Sequence, residues 1–321
     1  MVFHIGKATS VYFKTMPFVL LRLLVGALLG VFAIVYFGVI GFVAFRLLDA
    51  EAVSTWIAVI GLIIALGLFV GILRLVSRYV LYLVKAAHIA VIAHIVETGT
   101  VPENQLSFGK NAVKERFAEA SGLFALDQLV KAVLKQFNNG IFSPGRLLPT
   151  TGAIGQLIRM AKRAIAIAVS YIDEAILAYI FISDETNSWR AARDGLVLYA
   201  KQWKPVLATT MAIVIAMYLV TIAALLALTP LASVLGGLAP TYEALGWVIV
   251  VALALVFYTG FLKPWVKTVV ITTFLIEQRD STPDSETLDS IANRSDRFSE
   301  LLAKADEADA ADEDRKTPAT A

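Results

Sequence analysis

The sequence predicts an all-α polytopic helical membrane protein, with four full spans plus long amphipathic helices at the cytoplasmic side. Three observations carry this. Hydrophobic residues make up 58% of the 321 and charged residues only 17%, with mean hydropathy +0.73. A soluble domain holds roughly 45–50% apolar and about 25% charged residues, so the excess apolar surface needs lipid. The uncharged runs are long enough to cross a bilayer, and the positive charges between them fall on alternate sides.

A helix rising 1.5 Å per residue needs about 20 apolar residues to cross a ~30 Å hydrocarbon core. Leu23–Phe45 lies between Arg22 and Arg46, and Ala52–Leu73 lies between Glu51 and Arg74. Pro205–Tyr242 is too long for one crossing and contains Pro230, Gly236, Gly237 and Pro240. A helix is therefore expected to end near Leu228, with 229–243 as a loop, and Ala244–Leu262 follows as a fourth run. The predicted spans cover about 20–47, 52–73, 206–228 and 244–264. Lys7 and Lys14 precede the first run as they would in a signal peptide. That run, however, exceeds the ~7–15 residues of a secretory apolar region and has no small-x-small cleavage site, so it is read as a span.

Orientation follows from where Lys and Arg collect. Lys7, Lys14 and Arg22 flank the first span, and Lys201, Lys204, Lys263 and Lys267 flank the last two, whereas 229–243 has neither Lys nor Arg. Both ends of the chain are expected in the cytoplasm, in a plasma (cytoplasmic) membrane. Trp56 and Trp247 then fall at outer helix ends and Trp203 and Trp265 at inner ends, as interfacial indoles should.

Further helices are expected over 74–97, 105–138, 154–182 and 188–204. From Ala52 to Glu97 there is no Pro, and after Gly71 no Gly, so the second span should continue as one long helix. On its extension Arg74, Arg78, Lys85 and His88 follow one another at intervals of 4, 7 and 3, which makes one stripe. Residues 105–138 combine Leu123, Leu126, Val130, Val133 and Phe137 with Lys110, Lys114, Lys131 and Lys135. That pattern suits helices packed together while touching headgroups. The stretch 138–149 reads as a loop. The next helix opens with Arg159, Lys162 and Arg163 and carries Asp173 and Glu174 in an apolar segment. A six-span alternative, with 79–96 and 154–182 both crossing, would place the basic loop 98–163 outside. Four spans are preferred, with 74–97 and 154–182 buried against each other in or just under the cytoplasmic leaflet. Ala87–Ile95 and Ile172–Ile180 also echo one another at three positions, a weak sign of internal duplication.

From Ala175 a helix rich in small residues runs to Asn187-Ser-Trp189, then Arg190-Ala-Ala-Arg-Asp194, Leu196-Val-Leu-Tyr199 and Gln202-Trp-Lys204 before a span. This stretch, about 164–228, resembles the segment before a late span in choline-transporter-like membrane proteins. The resemblance implies movement of choline-like solutes. The chain has fewer spans than that family and no large outer loop, and no solute-binding residue carries over.

Carboxylates within hydrocarbon are costly and mark a polar path or a paired site. Asp173 and Glu174 are the main candidates, with Lys85, His88 and Arg163 as counter-charges. Arg74, Arg78, Lys110, Lys114, Lys131, Lys135, Arg159, Lys162 and Arg163 are candidate contacts for anionic lipid. Gly26, Gly30, Gly67 and Gly71 form two G-x-x-x-G pairs suited to close helix packing, within the chain or between copies in a homo-oligomer. His88 and His94 lie six apart, about 240° around a helix, and no Cys is present, so neither metal nor cofactor is expected. No P-loop and no G-x-S-x-G occurs, and enzymatic activity is not expected. The expected partners are the lipid bilayer and anionic lipids, with no nucleic acid.

The membrane domain is read as 1–276 and the remainder as an acidic tail. Residues 277–321 hold thirteen Asp or Glu against six Lys or Arg. One amphipathic helix is expected over 285–303, and otherwise disorder. Two functional classes follow. One is a solute carrier or channel-like protein with a polar path at Lys85/His88 and Asp173/Glu174, and the other is a non-catalytic oligomeric scaffold or membrane-shaping protein.

Overall fold

The computed structural model describes residues 4–117, 120–142, 170–237 and 240–316. Among these residues there is no strand. Four helices are long and apolar enough to cross a membrane, within Met16–Asp49, Thr55–Thr98, Thr210–Val234 and Ile249–Glu277. The chain divides into two compact units, Met16–Ala86, and Met1–Thr15 with Ala87–Ala321.

The smaller unit is a hairpin of α2 (Met16–Asp49) and α3 (Thr55–Val76). Its side chains are apolar all round and mostly exposed, as with Leu24, Leu28, Ile34, Ile60 and Ile63. A helix with no polar face is stable only in lipid or a larger core. The hairpin is held by rings: Phe69 of α3 meets Phe32, Tyr36 and Phe37 of α2 at centroid distances of 5.9, 5.6 and 4.8 Å. The Tyr36 hydroxyl donates to the Ala65 carbonyl at 2.9 Å. The glycines play no part in this contact. A Cβ added at Gly26, Gly30, Gly67 or Gly71 would meet nothing within 4 Å, which corrects their assignment to packing within the chain.

Helix α3 passes through a π-helical turn, Ser77–Leu81, into α4 (Tyr82–Thr98), and so forms the long continuous helix expected from the missing Pro and Gly.

The larger unit contains the second hairpin, α9 (Trp203–Gly236) and α10 (Pro240–Phe257). These helices approach closely at Gly246, where a Cβ would lie 2.8 Å from the Ala232 Cα. The loop expected over 229–243 shrinks to a few residues, because α9 continues through Pro230. Proline removes the N–H that would bond the carbonyl four residues back. The Thr229 hydroxyl donates to that carbonyl, Leu226 O, at 2.7 Å, the kind of replacement that lets proline persist in a membrane helix. A second π-helical turn, Tyr258–Leu262, then leads into α11 (Lys263–Glu277), buried along most of its length.

The larger unit also holds α1 (Ile5–Lys14), α5 (Gln105–Arg116), α6 (Ala120–Phe142), α7 (170–182), α8 (Ser188–Lys201), α12 (Ser285–Ala292) and α13 (Asp296–Lys316); α1 packs along α11, and α12 and α13 pack on α8. Leu123, Leu126, Val133 and Leu134 of α6, Ile172, Ile176 and Ile180 of α7, and Tyr199 of α8 are fully buried. Two glycines set crossings here. A Cβ at Gly109 of α5 would stand 2.6 Å from the Ala87 carbonyl oxygen of α4, and one at Gly195 of α8 3.1 Å from the Tyr179 ring of α7. Helix α6 extends through 138–142, so the loop expected to open at 138 does not begin there; 143–149 and 154–169 lie outside the described residues.

The acidic segment is helical and docked rather than largely disordered. Asp284 caps α12 by accepting from the Thr287 N–H at 2.8 Å. Phe298, Leu301 and Ala305 of α13 are buried at helical spacing. Apolar burial on one stripe is what offsets the cost of ordering so charged a helix.

Among the described residues the order of elements recurs. Helix α2 and helix α9 each have 34 residues, and each is preceded by a short helix, α1 or α8. A second span follows, then a five-residue π-helical turn, then a buried extension, α4 or α11. Next comes a helix capped by Asn104 or Asp284, and then α6 or α13. Both extensions carry Val-Lys near their start, Val84-Lys85 and Val266-Lys267. The recurrence therefore pairs α4 with α11, not with the 172–180 segment suggested by sequence.

Candidate functional site: buried ion pairs beside the last span

Asp173 and Glu174 sit on α7 with side chains 2% and 5% exposed. Adjacent residues on a helix point about 100° apart, and the two carboxylates accordingly meet different helices. Glu174 receives the Lys267 ammonium from α11. Asp173 lies 3.3 Å from the Lys131 ammonium of α6, which also holds Asp127, four residues earlier on the same helix and 1% exposed. Three carboxylates are thus buried against two lysines. The two networks tie α7 to α6 and to the helix that continues the last span.

Lys131, read from sequence as a lipid contact, pairs with two carboxylates while 37% exposed. Lys267, read from sequence only as a topological charge, is a site residue. The Lys131 signal was present in the sequence as an Asp127–Lys131 pair at i,i+4. Nothing local marks Lys267. Lys85 is half-buried with its ammonium 5.0 Å from the Tyr82 ring centroid, and His88 is 2% exposed. Arg74, Arg78, Lys110, Lys114 and Lys135 are exposed. Arg159, Lys162 and Arg163 lie outside the described residues.

Tyrosines border the pairs on the membrane side. Tyr171, one turn before Glu174, is buried, with its hydroxyl 3.9 Å from the Met217 sulfur of α9. Tyr218 of α9 stacks on Tyr258 at a centroid distance of 6.1 Å.

The docked acidic helices close the other side. Asn187 caps α8 by accepting from the Trp189 and Arg190 N–H groups. Its amide also donates to Ala305 O at 2.8 Å and to Asp309 at 2.7 Å. Arg190 pairs with Asp309, and Lys201 with Asp284 at 3.1 Å. A cleft of about 710 Å³ between α8 and α12 is lined by Lys201, Trp203, Asp284, Glu286 and Arg294 among others. Arg116 donates to the Ser183 and Glu185 carbonyls just past the end of α7. On α8, burial pushes the Asp194 carboxyl above its ordinary range, against the pull of Arg193 beside it. No family model, curated protein or solved structure matches the chain.

Proposed function

We propose that this membrane protein is a solute carrier, and not an enzyme, whose charge-handling site is the cluster of Asp127, Lys131, Asp173, Glu174 and Lys267. The supporting observation is the burial of three carboxylates against two lysines, one on α6 and one on α11. A buried ion pair gains little stability over well-packed apolar side chains of the same size. Placed at the foot of a span, such pairs are suited to exchanging partners when a charged solute arrives. The 164–228 resemblance points the same way. In this reading both termini are cytoplasmic, the protein resides in the plasma membrane, and the hairpin turn near 237 faces outward, which side-specific reporter fusions at 237 and at the carboxyl end would check.

The test is current recording from proteoliposomes adsorbed on a solid support and challenged in turn with amino acids, quaternary amines, carboxylates and inorganic ions. A solute-evoked current abolished by Glu174→Gln supports the carrier. Silence with every solute removes it in favour of an oligomeric or membrane-shaping scaffold. That second reading draws on the open faces at Gly26, Gly30, Gly67 and Gly71 and on exposed Arg74, Lys110, Lys114 and Lys135. It calls for large assemblies in mild detergent and for salt-sensitive binding to anionic lipid.

A further inference from the structure

We infer that the cleft between α8 and α12 binds the headgroup of an amino-phospholipid, a phosphate diester bearing a primary ammonium; this holds whether or not the protein moves a solute. The cleft exists because two chain turns are pinned together. Helix α8 ends at Lys201 and α9 begins at Trp203, and beside that break the chain passes from α11 to α12. The Gln202 amide donates to the Ser281 hydroxyl at 2.7 Å. The Lys201 ammonium donates to Thr282 O at 3.3 Å and pairs with Asp284 at 3.1 Å, and Asp284 in turn holds the Thr287 N–H. This wall is fixed before any ligand arrives, which spares the ligand the cost of ordering it.

The lining selects the ligand's charge. Lys201 and Arg294 face the cleft together with Asp284 and Glu286, two groups of each sign. A simple anion entering would meet two carboxylates, and a simple cation two basic groups, whereas a zwitterion satisfies both. Arg294 and Glu286 make no side-chain bond among the described residues, and Lys201 has three ammonium protons for its two protein acceptors. Charge-assisted bonds from such groups to phosphate are among the strong ones. The acceptors on the other side are the two carboxylates and the Ser290 hydroxyl. A primary ammonium donates three hydrogen bonds to groups of this kind, and a quaternary amine donates none. At about 710 Å³ the cleft falls within the ~300–1,000 Å³ of small-molecule sites, more than an inorganic ion fills.

Position selects a lipid. Trp203 also lines the cleft, with the Lys204 ammonium 5.7 Å from its ring centroid. The apolar stretch of α9 opens seven residues later, at Thr210, about 10 Å along the helix axis. An indole and lysines at the end of a spanning helix mark the headgroup level. A headgroup seated in the cleft therefore keeps its acyl chains in the bilayer.

The experiment titrates the full chain, purified in mild detergent, with dioleoyl phosphatidylethanolamine, phosphatidylcholine or phosphatidylglycerol and reads bound lipid by native mass spectrometry. The first ethanolamine lipid is expected to bind about tenfold or more tighter than either of the others, the scale of charged hydrogen bonds that they cannot make. Glu286→Gln and Arg294→Gln, both at exposed side chains, should each weaken that lipid about tenfold, Glu286→Gln by erasing the preference over phosphatidylcholine. Equal binding of the ethanolamine and choline lipids overturns the proposal, as does a preference left intact in either variant. Tightest binding of phosphatidylglycerol overturns it in favour of a plain anion site. Displacement of the lipid by an equal concentration of water-soluble glycerophosphoethanolamine overturns the lipid assignment in favour of a free phosphodiester. None of these outcomes touches the carrier, whose solute current is recorded separately.

Discussion

The Lys131 ammonium stands 3.3 Å from the Asp173 carboxylate while also holding Asp127, so one lysine of α6 balances two carboxylates that water scarcely reaches. Lys131→Met leaves both negative charges without it. Breaking a buried pair from one side costs roughly 3–5 kcal/mol, and with Lys131 itself 37% exposed the low end, about 3 kcal/mol, is expected. Thermal unfolding in detergent should show a large fall in midpoint. Lys131→Met combined with Asp127→Asn and Asp173→Asn should recover most of it.

Glycines divide into two classes by what surrounds them. Gly109→Ala would drive a methyl against the backbone oxygen of Ala87, which cannot give way as a flexible side chain can. A loss of about 1–3 kcal/mol is expected. Gly26→Ala, Gly30→Ala, Gly67→Ala and Gly71→Ala meet open space and should each be neutral or gain about 0.5–1 kcal/mol from the better helix former. If instead these four disrupt an assembly seen by cross-linking, the glycine faces are contacts between copies.

Asn187→Ala removes the cap of α8 and the amide that grips α13 in one change. The cap alone is worth about 1 kcal/mol. The sharper readout is hydrogen exchange over 296–311, which should speed up, and protease cleavage there should rise. Arg190→Ala should loosen the same segment while leaving exchange at the start of α8 less affected, because the cap remains.

Asp194 gives a pH signature. Its folded-state carboxyl titrates above its ordinary range because of burial. Such a group contributes its full stability below its unfolded value and loses that contribution as pH rises through the raised folded one. Asp194→Asn is insensitive to this titration. The stability difference between variant and wild type should therefore move in favour of Asn from acid to neutral pH. A difference that stays flat across that interval would refute the assignment.

At Asp284 the sign is opposite. The Thr287 N–H and Lys201 hold its carboxyl below the ordinary range. Its contribution is present above the unfolded value and is lost as pH falls through the depressed one. Acid, or Asp284→Ala, should therefore detach α12, read as faster exchange over 285–292.

The spans were legible in sequence because membrane crossing is a local property. Hydropathy over about 20 residues decides it, and α2, α3, α9 and α10 lie where the uncharged runs place them. The continuation of α3 into α4 was legible for the same reason. The extension of α9 past Pro230 was not, since it depends on Thr229 reaching one particular carbonyl. The acidic segment misled by composition: its charges outnumber the few apolar residues that fix α13. The lysines facing Asp173 and Glu174 come from 42 residues before and 93 after, and no local pattern states which distant cation will face a carboxylate.

The recurring series of helices has a consequence for how this architecture can arise and be altered. In the proposed topology each block enters and leaves the bilayer on one face, because it holds two helices long and apolar enough to span. Joining two blocks end to end therefore demands no inversion and no new pattern of flanking lysines. Excising α3 or α10 alone, by contrast, would send everything downstream to the wrong compartment, whereas excising α9 and α10 together would leave the remaining termini on their original side.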